Sequence, residues 1–149
     1  MKLYFEDFVP GERVLVGSRA ISEKEIVDFA LQFDPQPFHI DAVAAKATNF
    51  GGLIASGWHT CALMMRMLCD SYLLESASLG SPGMDEIRWL KPVRPGDVLS
   101  GYRRTVEVRP SNSKPDRGSV LADFEAVNQA GEQVMTMRGW GMFLRRPAA

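Results

Sequence analysis

One segment of the sequence, if it forms a helix, is apolar on nearly every side. It runs from Ser56 to about Leu74, after Gly51-Gly52 has broken the preceding chain. Its apolar side chains are Trp58, Cys61, Ala62, Leu63, Met64, Met65, Met67, Leu68, Tyr72 and Leu73. This pattern is typical of a helix that is buried on all sides. The rest of the chain must therefore supply the elements that enclose it.

The second half of the chain has four runs of strand length. They are Met84 to Val93, Val98 to Val108, Ser119 to Val127 and Gln133 to Leu144. Turn signals separate them at Ser81-Pro82-Gly83, Arg94-Pro95-Gly96-Asp97, Pro110 to Gly118 and Gln129-Ala130-Gly131-Glu132. An earlier run from Arg13 to Ile21 also reads as a strand. Because the connections are short, we expect a curved antiparallel sheet around the apolar helix, an α+β architecture.

The segment between the first strand and the apolar helix contains two further helix signals. Ser22 and Glu25 form a capping box, and the apolar residues that follow predict a helix ending near Phe33. Pro35 and Pro37 are expected to hold the next segment out of helix. Asp41 then caps a short helix over Ala42 to Ala47.

Length, composition and charge limit the class of protein. The chain has 149 residues, 46% of them hydrophobic, which predicts one domain over residues 1–149. A net charge of −1 makes nucleic acid an unexpected partner. The N-terminal MKLYFEDFVPGE lacks a signal-peptide pattern, and no apolar run reaches about 18 residues, so we expect a cytoplasmic protein without a membrane partner. Cys61 and Cys69, about 12 Å apart on a helix, are expected to be buried free thiols.

Asp34 and His39 are the first candidates for chemistry. A carboxylate and an imidazole are common proton-transfer groups, and here they stand five residues apart. Five extended residues span about 17 Å, so the two side chains meet only if the loop turns back on itself. The alternatives are a turn-forming Asp34 and a packed, structural His39. Asp41 is interpreted as a helix cap.

The second candidate segment, Phe50 to His59, leads into the apolar helix. Unpaired N–H groups at a helix start can hold a developing oxyanion, and Gly57 allows close approach of a ligand. The alternative is an ordinary helix start capped by Ser56. His59 is interpreted as a packing or substrate-lining residue. The few His and Cys residues have no ligand spacing, so no metal site is predicted.

Together these segments resemble the MaoC-like dehydratases and (R)-specific enoyl-CoA hydratases. Asp34, Pro37, His39 and Ala45 stand where the hydratase 2 motif, with its core D-x-N-P-x-H, has its characteristic residues. The resemblance continues through Ile54 to Gly57, the apolar helix and Leu90 to Asp97, and covers nearly the whole chain. Three residues differ from the family's pattern. Gln36 replaces the motif's Asn, Ser56 stands where His is common, and Met65 aligns with a serine of some hydratases.

The resemblance implies a hot-dog fold and a homodimer, or a multiple of dimers, with its acyl-pantetheine tunnel near the interface. It also implies reversible addition of water to a trans-2-enoyl-CoA, giving a (3R)-3-hydroxyacyl-CoA. Asp34 and His39 would act as base and acid on one water, and the N–H of Gly57 would hold the thioester oxygen. The substrate-lining candidates are Phe38, Ser56, Trp58, His59 and Met65. No cofactor is expected beyond the CoA or pantetheine of the substrate. A hot-dog acyl-CoA thioesterase and a non-catalytic acyl-CoA or acyl-carrier binding module remain as alternatives.

Overall fold

The computed structural model describes residues 2–149. Its five strands are β1 (Val14–Ala20), β2 (Ser78–Trp89), β3 (Val98–Pro110), β4 (Arg117–Val127) and β5 (Gln133–Leu144). They form one antiparallel sheet in the order β1-β3-β4-β5-β2. The helices are α1 (Glu23–Phe33), α2 (Pro37–Ile40), α3 (Ala42–Lys46) and α4 (Gly57–Ser71), with 3-10 turns at Phe5–Asp7 and Leu73–Glu75. The predicted α+β architecture is confirmed.

Helix α4 packs into the sheet through one apolar face. Met64 and Met67 lie in the main core cluster with Leu99 of β3 and Met135 of β5. Gly101 lets the helix approach β3 closely, because a Cβ there would lie 3.0 Å from Met67 Cε. The sheet thereby fixes the position of α4, and with it the position of the loop that precedes the helix.

The prediction that this helix is buried all round is wrong for the chain by itself. Trp58 is 57% exposed and Met65 is 48% exposed, so one face of α4 remains open to solvent. The sheet covers only the opposite face of the helix. The helix also ends earlier than expected, at Ser71, and a 3-10 turn follows. Cys61 and Cys69 are free, as expected, but only half-buried.

The turn expected at Ser81-Pro82-Gly83 is also wrong, because these residues lie inside β2. This strand is an edge of the sheet, where a proline removes no hydrogen bond from an inner partner. The pairing with β5 shifts register around Gly80 and Gly83, so the segment bulges instead of ending the strand. Strand β2 then stops at Trp89, four residues before the predicted end.

The caps predicted for α1 and α3 are confirmed. Ser22 and Glu25 form the capping box of α1, and Asp41 accepts hydrogen bonds from Val43 and Ala44 at the start of α3. Within residues 2–149, no helix combines the length and hydropathy needed to cross a membrane.

Candidate active site

The loop that carries Asp34 and His39 does turn back on itself. Asp34 is the C-cap of α1 and leaves the helical conformation, and its carbonyl accepts a hydrogen bond from Gln36 N–H. Pro37 then opens the four-residue helix α2, so the expectation that both prolines keep this segment out of helix is wrong. Proline is compatible with the first helical position, where its missing N–H would have had no partner. The turn of α2 brings His39 back toward Asp34.

The Asp34 and His39 side chains are in direct contact. His39 Nε2 lies 3.2 Å from Asp34 Oδ2, and His39 itself is buried. On the other side of the ring, Nδ1 lies 2.7 Å from the carbonyl oxygen of Ile54. Because a carbonyl only accepts, Nδ1 carries its hydrogen and Nε2 faces the carboxylate. The backbone before α4 therefore fixes which nitrogen can exchange a proton at Asp34.

The carboxylate of Asp34 is held by two neutral donors. Ser56 Oγ donates to Oδ2 over 2.7 Å, and Gln36 Nε2 donates to Oδ1 over 2.7 Å. Partial burial raises the pKa of Asp34, but these hydrogen bonds and the charge of His39 outweigh it, so the pKa lies below its ordinary value. Asp34 is accordingly a carboxylate at neutral pH. Ser56 makes no capping bond to α4, since its hydroxyl is bonded to Asp34 instead.

Gly57 begins α4 directly beside this pair. Its N–H has no hydrogen-bond partner among residues 2–149, as expected at the first position of a helix. Its carbonyl accepts a 3.0 Å hydrogen bond from Trp89 Nε1. A Cβ at Gly57 would lie 2.6 Å from that nitrogen, within the van der Waals surface of the indole. Only glycine lets Trp89 pack against the helix start in this way.

These groups open into one cavity of about 490 Å³. Asp34, His39, Gly57 and Trp58 line it, and these are four of the residues expected from the sequence. Other lining residues are Gln36, Phe50, Ile54, Ala55, Thr60, Trp89, Leu90, Lys91, Pro92, Val93 and Val134. The cavity therefore joins a carboxylate, an imidazole and a free N–H.

The other four sequence candidates lie elsewhere. Phe38 packs edge-on against His39 with ring centroids 4.4 Å apart, and Ser56 is fully buried behind Asp34. His59 stacks on Phe29 at 4.5 Å, and burial lowers its pKa. Met65 borders a different cavity, farther along α4. All four remain predictions as substrate contacts, although Phe38 and Ser56 contact the pair directly.

Comparison with known proteins identifies the family. The family model described as MaoC like domain matches residues 7–123. The chain belongs to this family. The crystal structure of the MaoC-like dehydratase from Rhodospirillum rubrum is 40% identical, with a TM-score of 0.89 over 98% of this chain and 99% of that one. The MaoC-like domain described here thus has the hot-dog fold that the resemblance implied.

Two curated relatives show what the MaoC-like domain is similar to in sequence. Protein MaoC from Klebsiella aerogenes is 31% identical over 109 residues, which are 70% of this chain and 32% of that protein. The 3-hydroxybutyryl-CoA dehydratase from Methylorubrum extorquens is 27% identical over 138 residues, 89% of this chain and 83% of that protein. The dehydratase name of the second relative agrees with the hydro-lyase class that the resemblance implied.

Sequence reasoning missed two groups at the site of this MaoC-like domain. One is Trp89, which packs on Gly57 from 32 positions away in the chain. The other is the carbonyl of Ile54, which orients His39 from 15 positions away. Neither has a local signal, because a tryptophan at the end of a strand and a backbone carbonyl look ordinary in sequence. Only the fold shows their partners.

Proposed function

We propose that this protein catalyses the reversible addition of water to a trans-2-enoyl-CoA, or a related acyl thioester, giving a (3R)-3-hydroxyacyl-CoA. The observation that carries the proposal is the contact of Asp34 with His39 beside the free N–H of Gly57, all in one cavity. Hydration of a conjugated thioester needs a base for water, an acid for carbon 2 and a donor for the thioester oxygen. The cavity contains one group suited to each task.

In the proposed hydration, Asp34 takes a proton from a water that contacts both side chains. The water oxygen bonds to carbon 3 while the electron pair of the double bond moves toward the thioester oxygen. His39, which enters the cycle as an imidazolium with a proton on each ring nitrogen, then gives its Nε2 proton to carbon 2. The proton gained by Asp34 passes to His39 through their direct contact, which restores both groups. Dehydration follows the same steps in reverse.

The N–H of Gly57 has the electrostatic role in this scheme. Negative charge develops on the thioester oxygen while carbon 3 is attacked, and an N–H at a helix start favours such charge. The hydrogen bond from Trp89 to the Gly57 carbonyl holds the next peptide, at the start of α4, in place. No cofactor is proposed, and the CoA or pantetheine belongs to the substrate.

Incubation with crotonyl-CoA tests the reaction class. Loss of enone absorbance without free thiol is the expected result. Release of thiol would indicate the thioesterase, and neither change would indicate a binding module or another acyl group. Hot-dog thioesterases generally use a carboxylate on the central helix. Here α4 has no acidic residue in its first turn, and its one carboxylate, Asp70, lies at the far end. The structure therefore favours hydration over hydrolysis. A panel of enoyl-CoAs of different length and branching then defines the acyl group.

We also propose a homodimer, or a multiple of one, formed through β2 and the open face of α4. Strand β2 is an edge strand, exposed over most of its length. Large apolar side chains are exposed on β2, namely Met84 and Trp89, and on α4, namely Trp58 and Met65. Pairing of two β2 edges about a two-fold axis would cover both features.

Sedimentation tests this assembly. We expect at least twice the chain mass of 16.5 kDa at micromolar concentration. Met65→Glu should shift the protein toward monomer, whereas Leu31→Glu, a matched change of another exposed apolar residue on α1, should not. A wild-type protein that sediments only as monomer would contradict the assembly without affecting the proposed chemistry.

A further inference from the structure

One buried hydroxyl group, that of Thr60, borders the catalytic cavity and has no role in the reaction described above. Thr60 is the fourth residue of α4 and is only 2% exposed. It lines the same cavity as Asp34, His39 and Gly57. Val134 of β5, another buried residue of the lining, is apolar. The Thr60 hydroxyl is thus a polar group in the buried part of the cavity wall.

The Thr60 hydroxyl has no hydrogen-bond partner among residues 2–149. A threonine in a helix often donates to the carbonyl four residues earlier. Here that carbonyl belongs to Ser56, and it accepts hydrogen bonds from the backbone N–H groups of His59 and Thr60 instead. The Thr60 oxygen is not sealed from solvent as the unpaired His59 Nδ1 is, so it faces the open space of the cavity. A buried hydroxyl without a partner is costly, and a group bound in the cavity would satisfy it.

The position of Thr60 on α4 relates it to Gly57, three residues earlier. Residues three apart on a helix are neighbours on one face, with about 5–6 Å between their Cβ positions. Each Cα–Cβ bond also tilts toward the start of the helix, so the Thr60 side chain leans toward the Gly57 end. The N–H of Gly57 is the group that would hold the thioester oxygen. An oxygen held there therefore lies within about one helical turn of the Thr60 hydroxyl.

We propose that the Thr60 hydroxyl is a second hydrogen-bond donor to the thioester oxygen, and so a catalytic residue. This role rests on the proposed hydration. A carbonyl oxygen has two lone pairs, and the N–H of Gly57 uses one of them. Negative charge grows on this oxygen while carbon 3 is attacked, so a second donor fixed beside it stabilises the transition state. The branched threonine side chain has few rotamers, which holds its hydroxyl in place before the substrate arrives.

Two substitutions at Thr60 test the role in catalysis. Thr60→Val keeps the shape of the side chain and removes the hydroxyl, and we expect it to lower kcat for crotonyl-CoA by about tenfold or more with little change in KM. Thr60→Ser keeps the hydroxyl and should retain most of the activity. Thr105→Val is the matched control, because Thr105 is a buried threonine on β3 that does not line the catalytic cavity.

Infrared spectra of a bound, non-reacting thioester test the hydrogen bond itself. Butyryl-CoA labelled with ¹³C at the thioester carbonyl has no double bond to hydrate. Hydrogen bonds weaken the C=O bond, so its stretching frequency should fall when the thioester binds to the wild-type protein. The decrease should be smaller in Thr60→Val and should remain complete in Thr60→Ser and Thr105→Val. A change in packing alone would not produce this pattern.

The two measurements separate this role from the hydration reaction. If hydration proceeds but the carbonyl frequency is the same in wild type and folded Thr60→Val, Thr60 is not the second donor and the proposed hydration stands. If the frequency depends on Thr60 but no enoyl-CoA is hydrated, Thr60 binds the thioester and the hydration fails. No decrease in frequency with the wild-type protein would also overturn the role of Thr60. If Thr60→Val fails to fold, Thr60→Ala removes the same hydroxyl with a strong helix former.

Discussion

The two ends of α4 border cavities of opposite character. At the N-terminal end, the carboxylate of Asp34 contacts His39 and receives hydrogen bonds from Ser56 and Gln36. At the C-terminal end, the guanidinium of Arg103 lies between the rings of Phe8 and Tyr72 and makes no ion pair among residues 2–149. The charge at one end is paired within the chain, and the charge at the other end is not.

The paired arrangement suits a reaction centre. A reaction centre benefits from groups fixed before the substrate arrives, because no reorganisation is then needed as charge develops. The contrast predicts that substitutions at the N-terminal end act mainly on rate, in proportion to how directly each group meets the reacting atoms.

The largest effects are expected at the pair itself. Asp34→Asn and His39→Gln keep the shape of each side chain and remove proton transfer. Each should lower hydration of a good enoyl-CoA by about 10²-fold or more, the usual scale for positioned acid and base groups. Because the two groups act on one water, the double variant should be little worse than the poorer single one. Initial rates for the three variants measure this.

Melting curves supply the control for the pair. If Asp34 only forms a turn and His39 only packs, activity should fall no further than loss of folded protein explains. Near-wild-type turnover in folded Asp34→Asn would contradict this interpretation, because the N-terminal end of α4 would then not be the reaction centre.

Gly57 should give the next largest effect. A side chain there obstructs the approach of the thioester oxygen, and loss of one oxyanion donor typically costs about 10²-fold in kcat. Gly57→Val alone is ambiguous, because the new side chain would also displace the Trp89 indole. The sharper experiment compares Trp89→Ala with the double variant Gly57→Val/Trp89→Ala, in which that overlap is gone. Equal rates for these two folded proteins would remove Gly57 from the oxyanion role.

The sheet and the helices were largely predictable from local patterns. The turn signals that separate strand-length runs predicted β3, β4 and β5, and the capping box at Ser22 predicted α1, because these signals depend on neighbouring residues. Strand β2 was misjudged, since Pro82 is excluded from inner strands but allowed at an edge. Whether a strand lies at an edge follows from the fold and not from its own residues.

The residues of the site could be predicted from the sequence, but their geometry could not. The resemblance identified Asp34 and His39, whereas their spacing alone allowed a separation of about 17 Å. Their contact depends on the helical turn that Pro37 opens and on the distant Ile54 carbonyl. The serine that replaces the family's common histidine, Ser56, binds the carboxylate instead of capping α4. These are tertiary contacts, which no local pattern encodes.

Removal of the Ser56 hydroxyl should have an intermediate effect. Ser56→Ala deletes a buried donor to the Asp34 carboxylate, which we expect to lower kcat by about tenfold. The hydrogen bond helps to keep the pKa of Asp34 below its ordinary value, so its loss raises that pKa. Activity needs the carboxylate and falls as pH drops through the pKa, so the acid limb of kcat should move to higher pH. Ser18→Ala on β1 is the matched control, and an unmoved acid limb in Ser56→Ala would contradict this role.

The smallest effect is expected for Gln36, the second donor to the same carboxylate. Its bond to Asp34 has the same 2.7 Å length as that of Ser56, but Gln36 is exposed whereas Ser56 is fully buried. Water can replace an exposed donor, while a buried donor leaves an unsatisfied oxygen. Gln36→Ala should therefore lower kcat only about two- to threefold and leave the melting temperature unchanged. Gln36→Asn, which restores the residue of the hydratase 2 motif, should remain close to the wild-type rate. If Gln36→Ala instead lowers kcat as much as Ser56→Ala, burial does not decide how strongly a donor supports Asp34. The amide of Gln36, which corresponds to the amide of the motif's Asn, would then support the Asp34 carboxylate more strongly than the buried hydroxyl of Ser56.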